Sequence, residues 1–230
     1  MIAPRHILGN FDDSLKSLRN EVLAMASLTE RSLDRALSGL LERNDGCCVL
    51  AIADDEQIDL LEKQVDNDGV ELLLRFQPFA SDFRRVVSAM KLSSNLERVA
   101  DMAVNIARTA RKLNQHPALP ETHLIETMGG EAMSMLTDSV EAFVAEDDGL
   151  ARGLAARDRR LDQLNAEISN KLIERMAADP EQLRGYLNLL FVARHLERVG
   201  DHATNIAEDA VYLVAGEDIR HMRSVEGLTS

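Results

Sequence analysis

Leu96-Glu97-Arg98-Val99-Ala100-Asp101-Met102-Ala103-Val104-Asn105-Ile106-Ala107 returns one hundred residues later as Leu196-Glu197-Arg198-Val199-Gly200-Asp201-His202-Ala203-Thr204-Asn205-Ile206-Ala207. Nine of the twelve positions are identical, and the drift is confined to Ala100/Gly200, Met102/His202 and Val104/Thr204. The apolar positions around the motif repeat as well. Leu92, Leu96, Val99, Ala103, Ile106, Ala110 and Leu113 step by four and three, and Val192, Leu196, Val199, Ala203, Ile206, Ala210 and Leu213 step identically. That spacing is the seam of a helix packed knobs-into-holes against its neighbours. A second match lies upstream at an offset of 103, where Asp55, Ile58, Asp59, Leu61 and Val65 correspond to Asp158, Leu161, Asp162, Leu164 and Ile168. Repetition at this scale has one economical reading: the same helical unit occurs twice.

The prolines divide the chain accordingly. They stand at 4, 78, 117, 120 and 180, between long stretches of helical periodicity, because proline starts or ends helices and is excluded from their interiors. Six helices are expected, over roughly 10–43, 47–76, 79–115, 123–147, 149–178 and 181–215. Asn44-Asp45-Gly46 and Asp147-Asp148-Gly149 are turn signals. The stretch from Gln115 to Pro120 is the one evident linker. The fold class is therefore all-α, two tandem three-helix bundles made by internal duplication, with residues 1–116 as the first, 121–230 as the second and the linker at about 115–121.

Composition agrees and narrows the function. Of 230 residues, 45% are hydrophobic but only 3% aromatic, with no tryptophan, so the core must be filled by aliphatic side chains and methionine. A net charge of −13 and a pI near 4.9 count against nucleic acid as a partner, because a phosphate backbone demands a basic surface. Cys47 and Cys48 are adjacent and suit neither a disulfide framework nor a CxxC metal site. With no signal peptide after Met1, the expected compartment is the cytoplasm. No apolar run approaches the roughly 18 residues of a membrane span, so direct membrane insertion is not expected.

What both halves keep besides the seam is carboxylate. One helix of each carries Glu-x-x-x-Asp, Glu97 with Asp101 and Glu197 with Asp201; the helix before it carries Asp-x-x-x-Asp, Asp55 with Asp59 and Asp158 with Asp162. A spacing of four puts both acids on one helical face, where like charges repel. Four carboxylates from two neighbouring helices make an oxygen-rich patch that Mg²⁺, Mn²⁺, Fe or another hard or borderline cation would neutralise. The plainer alternative is a solvated acidic face, since a long acidic helix has many such pairs by chance. Persistence of the acids while their neighbours drift favours the metal. Arg98 and Arg198 read as ion-pair partners of these acids. Asn105 and Asn205 read equally well as supports for the carboxylates or as ordinary bundle hydrogen bonds. His195 and His202 flank the second acid pair, but their counterparts are Asn95 and Met102, which speaks against a shared histidine ligand. No Glu-x-x-His occurs, as a di-iron bundle would require, and no phosphate loop, dinucleotide fingerprint or nucleophile arrangement is present.

At the paired Leu-Glu-Arg-Val-(Ala/Gly)-Asp segments the chain resembles the PhoU family, accessory regulators of bacterial phosphate uptake. The resemblance spans the whole chain, through Phe11-Asp12-Asp13-x-Leu15-x-x-Leu18 with Met25, Gln77-Pro78-x-Ala80-x-Asp82-x-Arg84, and Leu196-Glu197-Arg198-Val199-Gly200-Asp201-His202-Ala203-x-Asn205-Ile206-Ala207. Ala100 stands where the family usually has Gly, Met102 where it has His or another polar residue, and Phe83 where it has Leu. The resemblance implies two tandem three-helix bundles and metal (Fe, Zn, Mn or Mg) on Asp55, Asp59, Glu97, Asp101, Asp158, Asp162, Glu197 and Asp201. It also implies a non-enzymatic role. Such a protein restrains the phosphate ABC transporter and holds the phosphate-sensing histidine kinase in its repressing state when phosphate is ample. A homodimer is expected from the long apolar edges of elongated bundles. The competing readings are a metal-dependent hydrolase that activates water on carboxylate-bound ions and a metal-free helical scaffold.

Overall fold

The computed structural model describes residues 4–220, with side chains from Asn10 onward. Six long helices account for nearly all of it: α1 (Pro4–Leu41), α2 (Asp45–Phe76), α3 (Ala80–Asn114), α4 (His123–Ala145), α5 (Asp148–Ala178) and α6 (Leu183–Ala215). Single 3-10 turns at Pro120–Thr122 and Pro180–Gln182 precede α4 and α6, and no strand occurs among the described residues. Proline opens both short turns because its fixed φ and missing N–H suit a first helical position. The expected helix over 10–43 begins earlier, at Pro4. The turn signals turn out to be helix caps. Asn44 Oδ1 accepts from the backbone N–H groups of Gly46 and Cys47, and Asp147 Oδ1 accepts from that of Leu150.

Within each bundle all three helices touch one another, α1 with α2 and α3, α4 with α5 and α6. The bundles meet chiefly through α3 against α6, with a smaller contact between α1 and α4. Every seam residue read from the sequence, Leu92 to Leu113 on α3 and Val192 to Leu213 on α6, is buried. Cys48 is buried too; it lies against Gly39, and desolvation pushes its thiol up to about 11.

The α3–α6 crossing is antiparallel and pseudo-symmetric. His202 Nδ1 lies 3.0 Å from Asn95 Oδ1, and the image of that pair places His195 Nδ1 3.3 Å from Met102 Sδ. Both histidines that flank the second acid pair thus belong to the seam between bundles. Burial lowers their pKa, and Arg198 adds to the effect at each. Farther along, Lys91 Nζ donates to the largely buried Asp209 at 2.8 Å and lies over the ring of Tyr212. Residue 100 positions away from each would be Phe191, Thr109 and Lys112, so this ion pair exists only once.

One of the three drifted positions has a packing cause. A Cβ on Gly200 would stand 2.3 Å from Cδ2 of Leu161, so any side chain there requires the end of Leu161 to move. The first bundle carries Ala100, and at the position of Leu161 it carries Ile58. Glycine with leucine has become alanine with isoleucine. Gly200→Ala alone is expected to gain about 1 kcal/mol of helix propensity and to lose about 1–3 kcal/mol to overpacking. Combined with Leu161→Ile it should keep the gain and shed most of the loss. A double-mutant cycle followed by thermal melting should give a favourable coupling of about 1 kcal/mol or more; additivity would mean the two exchanges are unrelated.

Candidate metal centre

The acids lie on the groove faces of α2 with α3 and of α5 with α6. In the first bundle Asp55 lies within electrostatic reach of Asp59 and Asp101, and Glu97 within reach of Asp101 and Asp59. In the second, Asp201 faces Asp158 and Asp162 across the helix pair, and Glu197 faces Asp201 and Asp162. Eight residues predicted from two linear patterns thus come together as two groups of four. Within each group the side chains gather without closing: among the described residues no three His, Cys, Asp or Glu groups already stand at metal-holding geometry.

Glu97, Glu197, Asp55 and Asp201 all have their pKa raised, in each case first by burial and then by the neighbouring carboxylates. Each group therefore holds its negative charge at a cost. Arginine offsets part of it. Arg98 Nε lies 3.2 Å from Glu97 Oε2 and its Nη1 3.6 Å from Asp101 Oδ2. Arg194, not the repeat-matched Arg198, makes the close ion pair with Glu197. Position 94 is a serine, so this guanidinium has no equivalent in the first bundle.

The residues present fit a hard cation on one observation in particular. Glu197 Oε2 is buried and accepts no hydrogen bond, since Arg194 takes the other oxygen. A buried carboxylate oxygen without a donor is costly; at the same position of the first repeat Glu97 Oε2 is buried too, with the ion-pair contact of Arg98 but no hydrogen bond. The donor sets are all oxygen, as Mg²⁺ or Mn²⁺ prefers. Asp55, Asp59, Glu97 and Asp101 would hold metal in the first bundle, and Asp158, Asp162, Glu197 and Asp201 in the second.

One acid escaped the sequence reading. Glu62 lies one turn beyond Asp59, and its pKa is raised by burial, then by Asp66 and by Asp59; it also acts on Glu97. The signal was the ladder Asp55, Asp59, Glu62, Asp66 at steps of four, three and four. The repeat does not reveal it, because the other half has Asn165 there.

Comparison with known proteins identifies the family to which this fold belongs. The PhoU domain model matches residues 22–110 and again residues 125–210. The chain belongs to the PhoU family. Among its relatives, a protein of Pseudomonas putida described as a phosphate-specific transport system accessory protein PhoU homolog is 35% identical over 218 residues, covering 94% of this chain and 85% of that protein. The phosphate-specific transport system accessory protein PhoU of Serratia marcescens is 34% identical, with 95% of this chain and 90% of that protein covered. The crystal structure of PhoU from Pseudomonas aeruginosa superposes with a TM-score of 0.88 at 33% identity, over 90% of this chain and all of that one. The phosphate transport system regulatory protein PhoU from Streptococcus pneumoniae gives 0.82 at 30% identity, over 91% and 99%. The two tandem helical bundles expected from the internal repeat, and the PhoU fold implied by the resemblance, are thus observed. Among the described residues no helix is long and apolar enough to cross a membrane.

Proposed function

We propose that this protein is a cytoplasmic regulator of phosphate uptake and of phosphate-starvation signalling. In this reading it restrains a phosphate ABC transporter, holds a phosphate-sensing histidine kinase in its repressing state when phosphate is ample, and works as a homodimer. The observation that carries it is likeness along nearly the full length to proteins named as accessory or regulatory parts of phosphate transport. Action by contact suits the chemistry of the acidic groups. The histidines beside the second group, the natural candidates for proton transfer, are engaged with Asn95 and Met102 in the seam between bundles.

The metal belongs to the same proposal. Bound to the two acidic groups, a cation would supply charge neutralisation, tying α2 to α3 and α5 to α6 where carboxylates now repel. The surface offered to a partner would then depend on metal occupancy.

A strain lacking this protein should express its phosphate-starvation genes in phosphate-replete medium, and the wild-type gene should restore repression. Reporter activity at high and low phosphate reads the outcome. Normal repression in the deletion strain, with no second family member in the genome, would remove the regulatory reading.

A further inference from the structure

On α6, Arg184, Leu187, Phe191, Arg194 and Arg198 follow one another at steps of three, four, three and four, and all five are exposed. This is the spacing of a helix-packing seam, on the opposite face from the buried one. Leu187 is 39% exposed and Phe191 48%, with Leu183 at 45% beside them. Two bulky apolar residues thus stand in the middle of a solvent-facing seam with arginine on both sides, in a chain of net charge −13.

The internal repeat shows what such a ridge is built to receive. The equivalent residues of α3 are Arg84, Val87 and Lys91, and all three are partly buried. Arg84 and Lys91 are covered by the end of α6 and the segment after it. Arg84 Nε donates to the carbonyl of Leu213 and lies against Gly216; Lys91 pairs with Asp209 at 2.8 Å and lies within electrostatic reach of Asp218. The cover on the first ridge is thus helical backbone that brings aspartates to the cations. The matching positions of α3 and the linker are Thr109, Lys112 and Ala118, which carry no carboxylate; Leu119 lies against Gly185, and Glu121 beyond it pairs with Arg175 instead of a ridge arginine.

We infer that the Arg184–Leu187–Phe191–Arg198 ridge is the docking site for an acidic amphipathic helix of a partner protein, which supplies apolar residues to Leu187 and Phe191 and carboxylates to the flanking arginines. The inference rests on the regulator reading for its biological sense, and it assigns the contact to one face. An apolar centre with a charged rim is the usual anatomy of such a contact.

The probe is a labelled synthetic helix of about three heptads with leucine on its seam and glutamate on its flanks, beside the same peptide with lysine for glutamate. Fluorescence anisotropy with the full chain should show saturable binding of the acidic peptide and at least a tenfold weaker response to the basic one. Leu187→Ser with Phe191→Ser, and separately Arg184→Glu, should each weaken the acidic peptide about tenfold or more. Circular dichroism melting of each variant should match wild type, since these side chains are on the surface. Equal binding of the two peptides, or undiminished binding by both variants, would overturn the inference. So would sedimentation showing a wild-type dimer that both variants dissolve, because a second copy would then be the occupant. In the deletion strain the ridge variants should fail to restore repression although wild type succeeds. A ridge variant that represses normally would overturn the assignment of the regulatory contact to this face and leave the regulator reading standing. Failure of wild type itself would overturn the regulator reading, with the peptide measurements deciding the ridge by themselves.

Discussion

Glu197→Gln combined with Asp201→Asn is expected to abolish metal binding by the second bundle while leaving every helix in place. A cation that binds only the folded state stabilises it by RT ln(1 + [L]/Kd), about 2.7 kcal/mol at a hundredfold excess over Kd, and the variant should lose that increment at one of two groups. Without metal the ordering reverses. The two amides keep the shape of the acids and remove their mutual repulsion, so the chelated variant should melt slightly above the chelated wild type. Acid should do to wild type what the substitutions do. Glu97, Glu197, Asp55 and Asp201 have folded-state pKa values raised above those of the unfolded chain, first by burial and then by neighbouring acids. The folded state therefore binds their protons more tightly. Their destabilising effect is complete above the raised pKa and is relieved as pH falls from neutrality toward the ordinary carboxylate range. The variant should show a smaller rise, having lost two of the four groups. Metal stoichiometry and thermal melting, with chelator and with Mn²⁺, Zn²⁺ or Fe²⁺, make the measurement. Unchanged stoichiometry, or a wild type whose melting ignores every divalent ion, would reduce these acids to a solvated face.

Leu196→Ala should have the largest effect on stability itself. Leu196 is fully buried in the α6 seam, as Leu96 is in that of α3. Truncation to alanine loses the transfer free energy of the deleted groups and leaves a cavity in a close-packed seam, together about 2–5 kcal/mol. For a chain of this size that is a fall in melting temperature of roughly 4–20 °C. Leu187→Ala, nine residues earlier on the exposed ridge of the same helix, should stay within about 0.5 kcal/mol of wild type. Similar losses at the two positions would mean that the ridge is not a surface.

The contrast between those leucines marks how far the sequence can be read. Leu196 belongs to a pattern that spacing alone assigns to a core, and the duplicated motif reports that assignment twice. The eight paired acids were legible for the same reason, because a repeated feature stands out from the many acids of an acidic chain. What escaped was what the halves do not share. Glu62 has Asn165 as its counterpart, and Arg194 has Ser94. Lys91 meets Asp209 across a separation of 118 residues, which no local pattern encodes. Leu187 and Phe191 sit in an ordinary-looking apolar helix until the tertiary arrangement shows them 39% and 48% exposed. The close approach at Gly200 shows in the sequence only as a letter change; its cause, the end of the Leu161 side chain, belongs to the neighbouring helix.

The crossing of α3 and α6 carries a historical consequence. Asn95 meets His202 and Met102 meets His195, the pattern of a two-fold contact in which residue i faces j and j faces i. Had the two bundles remained separate copies of one gene product, each substitution would have appeared on both sides of the axis at once, and neither the single Lys91–Asp209 pair nor an arginine confined to position 194 would have been accessible. Covalent fusion lifted that constraint. It gave each half a permanent neighbour at fixed proximity, and it let one half be covered by its own chain while the other stayed open to visitors.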